Sequence, residues 1–174
     1  MKYILDFDRT LFDTESFYRA SEAAGFHPEA LDVAVWQQLQ VTDFIYSDAL
    51  TFLKQQQPKD VVILTATSEY KYGPAVTAYQ KAKVEQEPVN TLVSEVVYVD
   101  LDKGPAIQSI AAHWEEDEPV VFVDDLLANC LAAVEVLPGC RSFVMTRGSQ
   151  LPNHPLSVIS RVADFAELSA KLSV

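Results

Sequence analysis

Val61-Val62-Ile63-Leu64 and Val120-Val121-Phe122-Val123 are unbroken runs of large apolar side chains, several of them β-branched. A strand with one wet face alternates apolar and polar residues; a run without alternation needs cover on both faces, as inside a parallel sheet. Strands are expected over Lys2 to Phe7, Val61 to Ala66, Val96 to Asp100, Val120 to Asp124 and Ser142 to Thr146. Helical patterns fall between and after them, over Ser47 to Gln56, Ala75 to Lys83, Pro105 to Trp114, Leu126 to Val136 and Val162 to Leu172. Pro105 suits a first helical turn, and Pro138-Gly139 stops the fourth of these helices. Strand-helix alternation predicts an α/β fold built on a doubly wound parallel sheet, with its ligand site beyond the carboxyl ends of the strands.

One segment interrupts the alternation. Residues 15–44 carry two amphipathic stretches, from Ser16-Phe17-Tyr18-Arg19-Ala20 and from Leu31-Asp32-Val33-Ala34-Val35-Trp36, with Gly25-Phe26-His27-Pro28 as the turn between them. This reads as a small helical cap insertion after the first strand, placed to overhang the site. At 174 residues the chain has room for one domain, residues 1–174, with a real core. Apolar residues make up 49 %, too many for a disordered chain. The formal charge of -12 argues against a nucleic-acid or anionic-membrane binder, since both need positive surface. Cys130 and Cys140 lack metal-ligand spacing and read as packing residues of a reducing compartment. No run approaches a membrane span, and a cytoplasmic location is expected.

The polar residues at the strand ends carry the chemistry. Asp6 and Asp8, two positions apart after Tyr3-Ile4-Leu5, project to the same side. Two negative charges that close are costly unless a cation or proton sits between them. Thr65-Ala66-Thr67 closes the second strand. Lys103-Gly104 opens a helix after Asp100-Leu101-Asp102. Asp124-Asp125 closes the fourth strand, with Asn129 a helical turn beyond. Singly, each has an ordinary reading: Asp caps helices and turns, and most lysines are solvated. Their coincidence at one edge of one sheet is what points to a site.

In order and placement these four pieces resemble motifs I to IV of the haloacid dehalogenase-like (HAD) hydrolase superfamily, over Asp6 to Asn129. The resemblance implies a Rossmannoid HAD-like domain and, because Asp8 follows Asp6 by two, its phosphatase and phosphotransferase branches rather than carbon-halogen cleavage. It implies Asp6 as nucleophile, forming an aspartyl phosphate, and Asp8 as general acid/base, kept protonated by its acidic neighbours. Mg²⁺ would be held by the carboxylate of Asp6, the backbone carbonyl of Asp8 and the carboxylate of Asp125, with Asp124 orienting a bound water and Asn129 supporting the shell. Lys103 would neutralise the transferring group. The Thr65 hydroxyl and the Ala66 amide region would bind phosphoryl oxygens with Lys103, Thr67 would add a donor, and Thr10 would brace the turn.

The expected activity is Mg²⁺-dependent hydrolysis of a phosphate monoester, with a phosphorylated small molecule as substrate. The alternatives are a phosphotransferase or mutase of the same fold, or a non-catalytic phosphoryl-binding scaffold. A short insertion would cover the site only in part, leaving room for a bulky substrate or a partner subunit, and the oligomeric state stays open. His27, His113 and His154 show no ligand spacing, and Trp36 and Trp114 read as packing residues. Tyr18 is not singled out. Arg9 and Arg147 read as surface ion-pair residues, and Glu115-Glu116-Asp117-Glu118 as a solvated loop.

Overall fold

Six parallel strands form one sheet: β1 (Lys2–Leu5), β2 (Val61–Ala66), β3 (Glu95–Val99), β4 (Val120–Asp124), β5 (Arg141–Met145) and β6 (Ile159–Val162), in the order β3-β2-β1-β4-β5-β6. The computed structural model describes residues 1–27, 30–115, 117–148 and 158–173; Glu116 and His154 lie outside these. β1 is central, pairing with β2 through Tyr3 and Val61 and with β4 through Lys2 and Val120. Connections run outward in opposite directions from β1 and β4, so the cleft between these two strands is the switch point where ligands gather in such sheets.

The runs that predicted two-sided cover are covered on both faces. Tyr3, Leu5, Ile63, Val121 and Val123 point into one apolar cluster. Ile4, Val62, Leu64, Phe122 and Val144 point into the other. The helices are α1 (Thr14–Ala23), α2 (Ser47–Gln55), α3 (Glu69–Tyr72), α4 (Ala75–Val84), α5 (Val89–Leu92), α6 (Gly104–Ala111), α7 (Leu127–Val136) and α8 (Phe165–Leu172). Asp13 caps α1, its carboxylate accepting from the Ser16 N–H at 2.9 Å and the Ser16 hydroxyl at 2.7 Å.

Two expectations change. The helix expected from Val162 begins at Phe165, and Ile159–Val162 is a sixth strand. Only Ile159 and Val162 of this strand are buried, so it carries too little apolar signal to stand out. In the segment 15–44 only the first stretch is an α-helix; the second forms 3-10 turns at Val33–Gln37 and Val41–Phe44. A relay of rings fixes it to the body: Phe7 against Phe12 at 5.3 Å, Phe12 against Phe17 at 5.5 Å, Phe17 stacked on Trp36 at 4.7 Å, and Trp36 against Tyr79 at 5.2 Å. Gly25, at φ 85, turns the chain out of α1 in a conformation that L side chains resist.

Arg147 is more than a surface charge. Its guanidinium lies 3.9 Å from the centre of the Tyr46 ring. It donates to the Thr10 carbonyl at 2.6 and 3.2 Å and to Asp48 at 2.7 Å. Thr10 is fully buried, so this clamp satisfies a carbonyl in the turn that carries Asp6 and Asp8. Arg147→Ala should lower unfolding stability by about 2 kcal/mol, and Arg147→Lys should restore only part of it, because an ammonium cannot reproduce the fork. Urea titrations would test this; an unchanged midpoint for the alanine variant would dismiss the clamp.

Candidate functional site

Three neighbouring strands deliver the polar cluster. Asp6 and Asp8 follow β1, Thr65 to Thr67 close β2 and extend just past it, and Asp124 and Asp125 end β4. The fourth contributor is Lys103, at the N-terminus of α6. Gly104 lets this corner close: an added Cβ would lie 3.2 Å from Asp102 Oδ1 and 3.4 Å from Val136 Cγ1. The Lys103 side chain is 2 % exposed, and its Nζ donates to Asp6 Oδ1 at 2.5 Å and to Asp124 Oδ2 at 2.7 Å.

Carboxylate oxygens of Asp6, Asp124 and Asp125 lie within 4.8 Å of one another. Fully ionised, three carboxylates around one ammonium would leave two negative charges uncompensated in a mostly buried pocket. Burial pushes the Asp6 carboxyl up to about 8; Lys103 opposes the shift, while Asp124 and Asp125 add to it. Asp125 is pushed up to about 6, by burial and then by Asp124. The Lys103 ammonium, which burial alone would weaken, is held well above its ordinary range by Asp6 and Asp124. This donor set fits a hard divalent cation, which takes oxygen ligands and supplies the missing charge.

The two acids after β4 are not equivalent. Asp124 Oδ1 accepts from the Leu126 N–H at 2.8 Å and from Asn129 at 3.0 Å, while Oδ2 accepts from Lys103 and from Asn129 at 3.0 Å. Each oxygen has two donors, so Asp124 is an anchor. Asp125 is half-buried, and no hydrogen bond engages its carboxylate among the described residues. Asp6 and Asp125 are therefore the carboxylates available to a metal, with Asp124 and Asn129 behind them.

Asp8 has company that the sequence reading missed. Its carboxylate accepts from Lys83 at 2.6 and 2.7 Å, from Gln80 at 2.7 Å and from Thr14 at 2.9 Å. Burial alone would raise its pKa, but Lys83, Gln80 and Thr14 outweigh burial and hold it below the ordinary range. The expectation that acidic neighbours keep Asp8 protonated is therefore corrected: in this structure it is an ionised partner of Lys83. A signal was present, because residues 76, 79, 80 and 83 share the inward face of α4 and two of them are polar.

Gln80 also donates to the Thr65 hydroxyl at 2.8 Å, joining the ends of β1 and β2 and leaving the hydroxyl hydrogen for another acceptor. Thr67 spends both donors on the Val99 carbonyl, from its N–H at 2.8 Å and its hydroxyl at 3.1 Å, so it braces β3 instead of facing a ligand. The Phe7 carbonyl gathers the N–H groups of Thr10, Leu11 and Phe12, and Thr10 holds Arg147 through its own carbonyl, while its buried hydroxyl has no hydrogen-bond partner among the described residues. Beside Asp8 opens a cavity of about 650 Å³, bordered by α1, α3 and α4, with Ala66 and Thr67 at its edge. Arg9 pairs with exposed Glu15 at 2.8 Å. Cys130 and Cys140 are buried free thiols, and Trp36 is buried in packing. Among the described residues no helix is long and apolar enough to cross a membrane.

No protein-family model matches the chain. No curated protein sequence matches it either. Solved structures do. A haloacid dehalogenase-like family hydrolase from Xanthomonas campestris superposes with a TM-score of 0.63 at 12 % identity, covering 99 % of this chain and 95 % of its own. The magnesium-bound HAD-hydrolase YfnB from Bacillus subtilis gives 0.65 at 11 %, covering 99 % and 98 %. The β-phosphoglucomutase of the archaeon Pyrococcus sp. strain ST 04 gives 0.56 at 16 %, covering 99 % and 97 %. A dehalogenase and an L-2-haloacid dehalogenase are among the other neighbours.

The raised carboxyls set a sign for stability. Asp6 and Asp125 hold protons in the folded chain at pH values where the unfolded chain, with carboxyls near 3.8, has released them. Without divalent cations, stability should fall as pH rises from about 4 towards 8. Chemical denaturation at pH 5.5 and 8 would test this, and Asp6→Asn should flatten the decline. A wild type equally stable at both pH values in chelator would refute the excess charge.

Proposed function

We propose that this chain, which has the fold of the HAD-like hydrolases, is a Mg²⁺-dependent phosphohydrolase of small phosphate monoesters. The observation that carries the reading is the convergence of Asp6, Asp124, Asp125 and Lys103, which when fully ionised leaves two negative charges unmatched. A bound Mg²⁺ would supply that charge and hold a phosphoryl oxygen, with Asp6 and Asp125 as carboxylate ligands and the Asp8 carbonyl as a third ligand.

Lys103 presents its ammonium beside Asp6, so a phosphate dianion can approach a carboxylate that would otherwise repel it. The Thr65 hydroxyl donates to a phosphoryl oxygen while Gln80 keeps it aimed. An Asp6 oxygen attacks phosphorus, the bond to the leaving alcohol breaks, and an aspartyl phosphate remains on Asp6. The departing oxygen needs a proton, and Asp8 is the group that lines the adjoining cavity. A dianion arriving beside Asp8 raises its proton affinity, so Asp8 takes a proton from solvent and passes it to the leaving oxygen. Asp8 then accepts a proton from the water that attacks phosphorus, freeing Asp6 and inorganic phosphate.

The second carboxylate favours this chemistry over dehalogenation, which has no leaving alkoxide to protonate. A phosphotransferase is the second reading, because the cavity beside Asp8 has room for an acceptor alcohol and a mutase is among the structural neighbours. Phosphate release against transfer to an added alcohol separates the two.

Asp6→Asn should abolish magnesium-dependent phosphate release from acetyl phosphate, a substrate with a good leaving group, while circular dichroism stays unchanged. Wild-type rates in that variant would remove the nucleophile. Asp8→Asn should slow alkyl phosphates by about 10²-fold or more and acetyl phosphate much less, in line with the weight of general acid catalysis. A uniform loss across leaving groups would deny Asp8 the acid role.

A further inference from the structure

The cavity of about 650 Å³ meets the strand-end cluster at Asp8, Ala66 and Thr67, and Gln80 and Lys83, which hold Asp8, also line it. Asp8 is the residue assigned to the leaving oxygen, so a phosphoryl group on Asp6 would direct the rest of its substrate into this space. The volume falls within the range of about 300–1,000 Å³ that encloses ligands of cofactor size. A three-carbon or six-carbon sugar would leave much of it wet.

Aromatic side chains from three helices line it. Phe17 and Tyr18 come from α1, Tyr72 from α3 and Tyr79 from α4. Phe17 and Tyr79 are buried in the core, but Tyr18 is 40 % and Tyr72 is 48 % exposed, which leaves two large lining rings accessible, with the Lys71 ammonium 4.6 Å from the centre of the Tyr72 ring. Exposed aromatic surface converging on one cavity is the feature expected of a site that stacks planar groups. Both cations among the described lining residues are paired, buried Lys83 with Asp8 at 2.6 Å and Arg9 with Glu15 at 2.8 Å in an exposed pair. Glu22 adds negative charge to the rim, with His27 beside it as a further hydrogen-bonding group. A second phosphate or carboxylate on the substrate would have to displace Asp8 from Lys83 or compete with Glu15 for Arg9.

We propose that this cavity is the leaving-group site, and that it selects a neutral alcohol bearing a planar aromatic ring, as in a nucleoside 5′-monophosphate, over sugar phosphates and bisphosphates. The ring lies between Tyr18 and Tyr72, and the hydroxyl-bearing end meets Asp8. The assignment rests on the phosphohydrolase reading for its orientation, but ring binding can be measured without turnover.

Calorimetric titration of the whole protein with adenosine, uridine, pyridoxine and glucose should show millimolar or tighter binding of at least one ring-bearing alcohol, and weaker binding of glucose. Tyr72→Ala and Tyr18→Ala should each weaken that binding at least about fivefold, the lower end of what losing one stacking side chain costs. Pyridoxine against the nucleosides separates a small single ring from a base with its ribose. In phosphate-release assays, the matching monophosphate should exceed glucose 6-phosphate and fructose 1,6-bisphosphate in kcat/KM by tenfold or more. No preference for rings in titration, or equal turnover of sugar and ring esters, would overturn the proposal. Acetyl phosphate distinguishes the two failures: if it too is inert, the hydrolase reading falls, while the titrations still decide the ring site.

Discussion

The Lys103 ammonium, locked between Asp6 and Asp124, is the contact on which this architecture turns. It fixes the N-terminus of α6 against the ends of β1 and β4 and makes a buried acidic cluster tolerable. Breaking a buried ion pair on one side strands the other charge in a poor solvent, so such a contact demands that every participating element be in place. The sheet order meets that demand, because β1 and β4 are neighbours at the switch point. The same ammonium leaves the fully ionised cluster two charges short of neutrality. A site that is intact yet electrostatically incomplete is what a charged ligand requires.

Around this centre the residues divide into those with saturated hydrogen bonds and those with capacity left. Asp124 and Thr67 are fully engaged and hold the frame. Asp125 and the Thr65 hydroxyl hydrogen remain available. Asp8 stands between the groups: held by Lys83, Gln80 and Thr14, it still faces the cavity. That division, more than proximity alone, separates the side chains suited to meet a ligand from those that position them.

Much of this was legible in the residues. The continuous apolar runs led to buried parallel strands because no other element covers both faces of so short a segment. The pairs Asp6/Asp8 and Asp124/Asp125 stood out because like charges crowd at strand ends only for a reason. What escaped notice was tertiary. Lys83 and Gln80 are ordinary helical residues until α4 brings them to Asp8, and Arg147 looks like any loop arginine until the Thr10 carbonyl comes within its reach. The 3-10 turns at Val33–Gln37 and Val41–Phe44 follow from anchoring Trp36 and Val41 in the core, which no local propensity dictates. β6 was missed because an edge strand of four residues carries almost no periodic signal.

The central position of β1 has a kinetic corollary. Both of its neighbours are supplied by much later parts of the chain, through Val61 on one side and Val120 on the other. Every contact that neutralises Asp6 is therefore a long-range one, made only after loops of considerable length have closed. During folding the acidic tip of β1 stays hydrated and apart from Asp124, so mutual repulsion need not be overcome until the compensating ammonium arrives on α6. Assembly of the sheet and creation of the charge deficit are thus one event, and a partly folded chain would offer a divalent ion little to hold.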